Sequence, residues 1–222
     1  MNKPLWPSTF HASQGVEDWR VVSEGACVFY RTATFEEAAR LVAEVGELPR
    51  VEEHPPGVDV RRDGVTFRLK TATERFYGIT ERDLELARAI SGVARRMGLA
   101  ADPGRIQSIL VIPGATDPAA VMPFWEAVLG YERRADSPDE DLVDPRRRGP
   151  DFWFEPMEKP RADGGGTVHV SAWVPYDQCQ SRIEAAVAAG GRLVSDEAAP
   201  RWWTLADPAG NEVCVATSPG PG

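Results

Sequence analysis

Leu142-Val143-Asp144-Pro145 is similar to a later stretch of the chain, Leu205-Ala206-Asp207-Pro208, and this internal repeat decides the fold of the second half. Around each tetrapeptide, the alternation of apolar and turn residues predicts one helix and four strands in the order β-α-β-β-β. A pattern that returns at long spacing indicates two copies of one structural unit. We therefore predict paired β-α-β-β-β modules in the second half of the chain.

The predicted elements of the two copies follow one another in matching order. In the first copy we expect a strand at 106–112, a helix at 118–129 and strands at 131–134, 141–143 and 151–156. In the second copy we expect a strand at 167–174, a helix at 178–189 and strands at 192–194, 202–205 and 212–216. Each copy therefore supplies one helix and four strands.

Two motifs lie within this repeat, one near its start and one near its end. They are PFWEAVLGY at 123–131 and ADPAGNEVC at 206–214. On these motifs, the segment from Ile106 to about Thr217 resembles the vicinal-oxygen-chelate family of glyoxalases and bleomycin-resistance proteins. The resemblance implies two modules whose sheets curl into a cup, typically holding a divalent metal with one ligand from each of four strands. It does not imply one reaction, because the family includes isomerases, dioxygenases, thiol transferases and metal-free binding proteins.

The resemblance also implies positions for the metal ligands. The matching residues are Gln107 or the adjacent Ser108, Glu155, His169, and Cys214 or Glu212, which lies two residues earlier on the same strand face. One His with oxygen ligands suits Zn²⁺, Fe²⁺, Mn²⁺ or Ni²⁺. Such a metal would polarise a carbonyl, enediolate or diol, and Glu155 or Glu212 would move the proton.

The same residues also fit a cup without a metal. His169 can be a hydrogen-bonded residue of the sheet, Cys214 can be a buried small apolar residue, and Gln107 is a weak ligand. The leading hypothesis is therefore a glyoxalase-like domain that acts on or binds a small molecule, as a lyase, isomerase or dioxygenase if it carries a metal. The alternative for this half is a metal-free binding or resistance protein.

Aromatic residues are the remaining clue to a pocket in the second half. The tryptophans that fall there are Trp125, Trp153, Trp173, Trp202 and Trp203. Trp153 shares a predicted strand face with Glu155, because side chains alternate along a strand. An aromatic lining with a few polar groups is usual for small-molecule pockets, although core packing explains any single tryptophan equally well.

The first half of the chain has a different order of elements. We expect strands at 19–22 and 26–30, a helix at 35–45, strands at 58–61 and 65–69 around an Asp63-Gly64 turn, and a helix at 80–97. Thr80 and Asp83 have the spacing of a capping box at the start of the last helix. The predicted fold class is α+β, a β-β-α-β-β-α domain at 1–101 followed by the paired modules at 102–222, with the boundary near Asp102.

The first half carries a second set of motifs. Glu53-His54-Pro55, the strand at 65–69, Gly78-Ile79-Thr80 and Asp83 make residues 18–97 similar to pterin-4a-carbinolamine dehydratases. Those enzymes normally show His-His-Pro and another His after the strand. Here Glu53 stands in the place of the first His, and residues 71–74 contain none. The resemblance implies 4a-hydroxytetrahydrobiopterin dehydratase activity as an alternative function, centred on Glu53 and His54.

Dehydration of a carbinolamine needs an acid that protonates the departing hydroxyl and a base that takes the ring proton. The first half offers His54 and, in its N-terminal tail, His11. Glu53 can replace one missing imidazole, but losing an acid–base partner typically costs about 10²–10⁴ in rate. This favours the other interpretation, in which His54 caps a turn and the domain is kept for docking or dimerisation.

Composition narrows the partners of the 222-residue chain. A formal net charge of −9 argues against nucleic acid, because phosphate binding needs clustered Lys and Arg. No apolar run reaches membrane-spanning length, and the N-terminus has no signal-peptide core. Three widely spaced cysteines fit free thiols in the cytoplasm. We expect a cytoplasmic protein with a small-molecule ligand, which forms a homodimer through sheet edges or helices.

Overall fold

The computed structural model describes residues 3–22, 24–106, 110–157, 170–173 and 179–216, apart from the side chains of Ser171, Trp173 and Ala216. The chain separates into two compact units, Met1–Ser108 and Ile109–Gly222. The segment that follows the last helix of the first unit packs on that unit, because Asp102 N donates to Phe29 O at 2.9 Å. The domain boundary near Asp102 stays a prediction, and this contact favours a division some residues later.

The first unit is an antiparallel sheet with two long helices. Its elements are α1 (Pro7–His11), β1 (Arg20–Val22), β2 (Gly25–Arg31), α2 (Phe35–Gly46), β3 (Gly57–Arg61), β4 (Gly64–Leu69), β5 (Thr71–Thr73), β6 (Phe76–Gly78) and α3 (Glu81–Arg96). The main sheet has the strand order β1-β2-β4-β3, and β5 pairs with β6 in a separate hairpin. The predicted β-β-α-β-β-α order is confirmed, whereas the β5–β6 hairpin was not predicted.

Local sequence explains where the helices of the first unit begin. Thr34 caps α2 by accepting a 3.1 Å hydrogen bond from Glu37 N. The predicted capping box of α3 is present, since Thr80 and Asp83 exchange side-chain and backbone hydrogen bonds. Apolar faces of both helices pack on the sheet, and Leu41 and Ile90 are fully buried. The start of α3 is therefore fixed against the sheet, which matters for the site below.

The second unit contains the two predicted modules. Their elements are β7 (Leu110–Val111), β8 (Gly114–Ala115), α4 (Pro118–Leu129), β9 (Glu132–Arg133), β10 (Asp141–Val143), β11 (Asp151–Trp153) and β12 (Glu155–Pro156), then β13 (Val170–Trp173), α5 (Cys179–Ala188), β14 (Arg192–Ser195), β15 (Trp202–Ala206) and β16 (Glu212–Ala216). The sheets have the orders β7-β11-β10-β9 and β13-β16-β15-β14, and β8 pairs with β12. Corresponding strands occupy corresponding places, so the predicted repeat is confirmed.

One core serves both modules of the second unit. Trp125 and Phe152 from the first module are buried in the same cluster as Leu205 and Val213 from the second. The indole Nε1 of Trp125 donates to Asp207 Oδ2 at 3.2 Å, which ties α4 to the second copy of the repeated turn. Neither module therefore completes its core alone.

The repeat at Asp144 and Asp207 has a structural explanation. Asp207 Oδ1 accepts from Ala209 N and Asn211 N, each at 2.9 Å. Asp144 in the same way accepts from the backbone amides of the turn that follows it, including Gly149 N at 2.9 Å. Burial opposes ionisation of Asp144, but these amide bonds outweigh it and lower the pKa to about 2. Both aspartates are turn-forming residues.

Two remaining sequence predictions concern cysteines and membranes. Cys27, Cys179 and Cys214 are free thiols, and the first two are buried. Within the part of the chain that the structure describes, no helix has the length and apolar character to cross a bilayer.

Candidate acid–base site in the first unit

A cleft of ≈ 240 Å³ opens on the first unit, where the loop after α2 faces the N-terminal half of α3. It is lined by Pro49, Arg50, His54, Glu81, Arg82, Glu85, Leu86 and Ala89. His54 is thus the imidazole that reaches the cleft. Charged side chains surround it, which is the usual setting for proton transfer.

Asp83 holds the imidazole of His54. The distance from His54 Nε2 to Asp83 Oδ1 is 2.7 Å, and the Asp83 side chain is fully buried. The other carboxylate oxygen, Oδ2, accepts from Thr71 Oγ1 at 2.7 Å and from Thr80 N and Oγ1 at 2.8 Å each. The carboxylate is therefore fully bonded, and its position fixes the ring of His54.

These bonds also decide the tautomer of His54. Burial would raise the pKa of Asp83, but the bonds from His54, Thr71 and Thr80 outweigh burial and lower it. An ionised carboxylate can only accept hydrogen bonds, so Nε2 of His54 must carry a hydrogen. In the neutral ring, Nδ1 is then the nitrogen that can take up a proton. This is the arrangement by which a carboxylate orients a catalytic imidazole.

The local sequence explains why these groups meet. Asp83 is the third residue of α3 and completes the capping box, so the helix start sets its position. Thr71 opens β5, which lies in the segment where the dehydratases carry a His. Here the threonine hydroxyl supports Asp83 instead. The site therefore keeps one imidazole with a reinforced carboxylate partner.

Glu53 has a different environment from His54. Arg50 Nη2 donates a 3.1 Å hydrogen bond to Glu53 Oε2. Arg82 Nη2 lies 3.6 Å from the same oxygen. The Arg50 hydrogen bond is the largest cause of a lowered pKa at Glu53. As an ionised group, Glu53 can accept a proton but has none to donate. Its proposed role as a substitute imidazole is thereby restricted to that of a base.

His11 does not line this cleft. Its Nε2 accepts a 3.0 Å hydrogen bond from Val21 N, which attaches the end of α1 to β1. His11 therefore has a structural partner elsewhere in the unit.

The residues that sequence patterns missed are Arg50, Arg82 and Thr71. The two arginines could have been found from the spacing of Arg50 to Glu53 and of Arg82 to Asp83. That spacing becomes informative only after Glu53 and Asp83 have been chosen as site residues.

The predicted cup residues of the second unit are only partly described. Gln107, Ser108 and His169 lie outside the described residues. Glu155 is exposed, and Phe152 and Phe154 are buried on the opposite strand face, as the alternation predicts. Glu212 is exposed, while Cys214 is half-buried with its Sγ 3.7 Å from Thr204 Oγ1.

The metal site predicted at Gln107, Glu155, His169 and Cys214 stays a prediction. Among the residues that the structure describes, no group of three or more His, Cys, Asp and Glu side chains is arranged to hold a metal ion. Glu155, Glu212 and Cys214 therefore do not form a site by themselves. A metal in the cup would depend on Gln107 and His169.

The tryptophans of the second unit divide between core and surface. Trp125 is fully buried, and Trp203 packs against the same core. Trp153 is half-buried and donates from Nε1 to Glu140 Oε2 at 3.3 Å, and Trp202 is 39% exposed. The side chain of Trp173 is not among those described. Among the tryptophans whose side chains the structure describes, Trp153 and Trp202 are therefore the ones that can line a pocket.

Comparison with known proteins assigns both units. The family model "Glyoxalase-like domain" matches residues 110–216, and "Pterin 4 alpha carbinolamine dehydratase" matches residues 8–93. A protein of Nocardia farcinica named for pterin-4-alpha-carbinolamine dehydratase is 34% identical over 38% of this chain and 86% of its own length. One of Herpetosiphon aurantiacus, with the same name, is 35% identical over 34% and 76%. The crystal structure of a glyoxalase-related enzyme from Fulvimarina pelagi covers 51% of this chain and 88% of its own, at 21% identity and a TM-score of 0.39.

Proposed function

Because the chain belongs to the pterin-4a-carbinolamine dehydratase family and also carries a glyoxalase-like domain, we propose that its first unit dehydrates a cyclic carbinolamine with His54 as the proton carrier. The observation that carries this proposal is the 2.7 Å bond between His54 Nε2 and buried Asp83 at the wall of the cleft. The capping bonds of Asp83 use Oδ2, which leaves Oδ1 to bind His54.

The reaction balances with one imidazole. Protonated His54 gives a proton from Nδ1 to the departing hydroxyl, the C–O bond breaks, and water leaves. Neutral Nδ1 then takes the proton from the ring nitrogen, so His54 ends protonated as it began. Asp83 stabilises the imidazolium at the start and the end, as a buried carboxylate does for a catalytic histidine. Two proton transfers by one residue in turn are slower than transfers by two residues, so we expect a slow enzyme.

Turnover of a 4a-carbinolamine by the full chain tests this proposal. We expect measurable dehydration that is lost in His54→Gln and retained in His11→Gln, which removes an imidazole of the same unit outside the cleft. Equal rates for wild type and His54→Gln would overturn it.

A second candidate function belongs to the glyoxalase-like domain. The observation that favours it is the strand face with Trp153 and Glu155, which lies opposite the buried Phe152 and Phe154. We propose that this face binds a small molecule, with a divalent metal if Gln107 and His169 complete the ligand set. Elemental analysis of the purified chain, compared with His169→Ala, separates a metal site from a metal-free pocket.

Two further expectations belong with these proposals. We propose a homodimer formed through sheet edges or helices, which light scattering of the 24.3 kDa chain tests directly. A cytoplasmic location is proposed on the free thiols.

A further inference from the structure

Thr71 connects a separate hairpin to the buried carboxylate of Asp83. The hairpin of β5 and β6 forms a two-stranded sheet apart from the main sheet of the first unit. Thr71 opens β5, pairs with Gly78 of β6, and donates from Oγ1 to Asp83 Oδ2 at 2.7 Å. The place of the hairpin is therefore linked directly to the place of the carboxylate that holds His54.

The other donors to Asp83 Oδ2 belong to the start of α3. Thr80 gives this oxygen two hydrogen bonds of 2.8 Å, one from N and one from Oγ1. The same hydroxyl accepts from the Asp83 amide, which completes the capping box. These bonds form within one helix turn, as in any capping box. Among the described donors to Oδ2, Thr71 is thus the one that the helix cap does not need.

The Thr71 bond to Oδ2 has a consequence for the other carboxylate oxygen. The terminal torsion of an aspartate has a broad energy minimum, so a carboxylate that is held by one helix turn can still rotate. The Thr71 hydroxyl donates from a different element and restrains that rotation. Oδ1 then stays in place for His54 Nε2, which lies 2.7 Å away.

The Thr71 bond also favours the charged form of Asp83. Burial raises the pKa of this carboxyl, and the hydrogen bonds from His54, Thr71 and Thr80 together lower it. The Oγ1 atoms of Thr71 and Thr80 lie 3.1 Å apart, but each hydroxyl carries one hydrogen, and the ionised carboxylate is the stronger acceptor. Both hydroxyls therefore donate to Asp83.

From these contacts we infer that Thr71 is a positioning residue, through which the β5–β6 hairpin holds the Asp83 carboxylate for His54. Thr71 is not among the residues that line the cleft, so it acts through Asp83 and not on the substrate. The inference rests on the proposed function for its effect on turnover, because His54 is the proposed proton carrier. Its effect on the bond between Asp83 and His54 is measurable without any substrate.

Proton NMR of the full chain in water at neutral pH tests that bond directly. A hydrogen on Nε2 of His54 that is shared with a carboxylate should give a strongly downfield signal, which is assigned by its loss in His54→Gln. Thr71→Val removes the hydroxyl and keeps the branched shape of the side chain. We expect the downfield signal to be lost in Thr71→Val, because the freed carboxylate lets this hydrogen exchange with water. Thr71→Ser keeps the hydroxyl and should keep the signal.

Carbinolamine turnover by the same proteins tests the consequence. In Thr71→Val we expect kcat to fall about tenfold to a hundredfold, the range for one hydrogen bond to a charged group. KM should change by less than about twofold, because Thr71 does not contact the substrate. Thr71→Ser should restore most of the rate. Thr73→Val is the matched control, since Thr73 is an exposed threonine of the same strand whose hydroxyl bonds Phe76 O, and it should leave signal and kcat unchanged.

The possible outcomes separate this inference from the proposed function. Circular dichroism melts should show that the variants are folded, and Thr71→Ala takes the place of Thr71→Val if the valine variant is not. An unchanged downfield signal or an unchanged kcat in Thr71→Val overturns the inference and leaves the proposed function intact. Equal losses in Thr71→Ser and Thr71→Val also overturn it, because the hydroxyl would then not be the cause. If Thr71→Val loses the signal but wild type turns over no carbinolamine, the proposed function fails while Thr71 keeps its assigned role.

Discussion

Each unit of this protein buries an aspartate in a dense set of hydrogen bonds, and the two aspartates do different things. Asp83 in the first unit and Asp207 in the second are both fully buried. Asp207 binds backbone amides, the Asn211 amide and the Trp125 indole, none of which titrates near neutral pH. Asp83 binds a histidine that lines an open cleft. A buried aspartate thus indicates a functional site when one of its hydrogen-bond partners can exchange protons with a ligand.

The largest effect should follow from removing Asp207. Asp207→Ala leaves Trp125 Nε1 and two backbone amides without their acceptor and removes one of the two acceptors of Asn211 Nδ2, which keeps its bond to Gly114 O. Unsatisfied buried donors cost about 1–3 kcal/mol each, so we expect the second unit to lose about 3–5 kcal/mol. Urea unfolding measures this loss, with exposed Asp196→Ala as the control. Carbinolamine turnover should persist in folded Asp207→Ala. A loss of turnover in folded Asp207→Ala would show that the activity of the first unit depends on the second unit.

Asp83→Asn should have the next largest effect, and on turnover rather than on folding. The amide can still accept the capping bonds, but it no longer stabilises a protonated His54. We expect carbinolamine turnover to fall about 10²–10⁴-fold, the range for loss of acid–base function. Steady-state kinetics should show the loss in kcat, with pterin binding nearly unchanged. An Asp83→Asn enzyme with wild-type kcat would make Asp83 a capping residue only, like Asp207.

Sequence patterns predicted the cap but not the bond to His54. The Thr-x-x-Asp spacing is enough to predict the capping box of α3, because both residues belong to one helix turn. The bond to His54 joins residues 29 positions apart, and it depends on how the loop after α2 packs against α3. Strand alternation likewise predicted the face of Glu155. The β5–β6 hairpin was missed because Thr71–Thr73 and Phe76–Gly78 are too short to show alternation.

Acid should destabilise the first unit by a smaller amount. The pKa of Asp83 is lowered in the folded state, so its ionised form stabilises the first unit. That contribution is complete above the ordinary aspartate pKa of about 3.9 and is lost as the pH falls through the lower folded-state value. Melts of the first unit between neutral pH and pH ~3 should therefore show a decline that is weaker in Asp83→Asn. An identical decline in both proteins would assign the acid sensitivity to other carboxylates.

The smallest effect is expected at Glu53, and it decides whether the site has one proton carrier or two. Glu53 lies next to His54 in sequence, yet its hydrogen bonds come from the exposed Arg50, and exposed ion pairs add little to stability. If His54 carries both protons, Glu53→Gln keeps the shape of the cleft and removes only a charge. Turnover should then change by less than about threefold, far from the 10²–10⁴ of a lost acid–base partner. The unfolding midpoint should not move. Turnover that instead fell with Glu53→Gln as far as with His54→Gln would show that the arginine-held carboxylate takes the ring proton, and the single-imidazole mechanism would have to be abandoned.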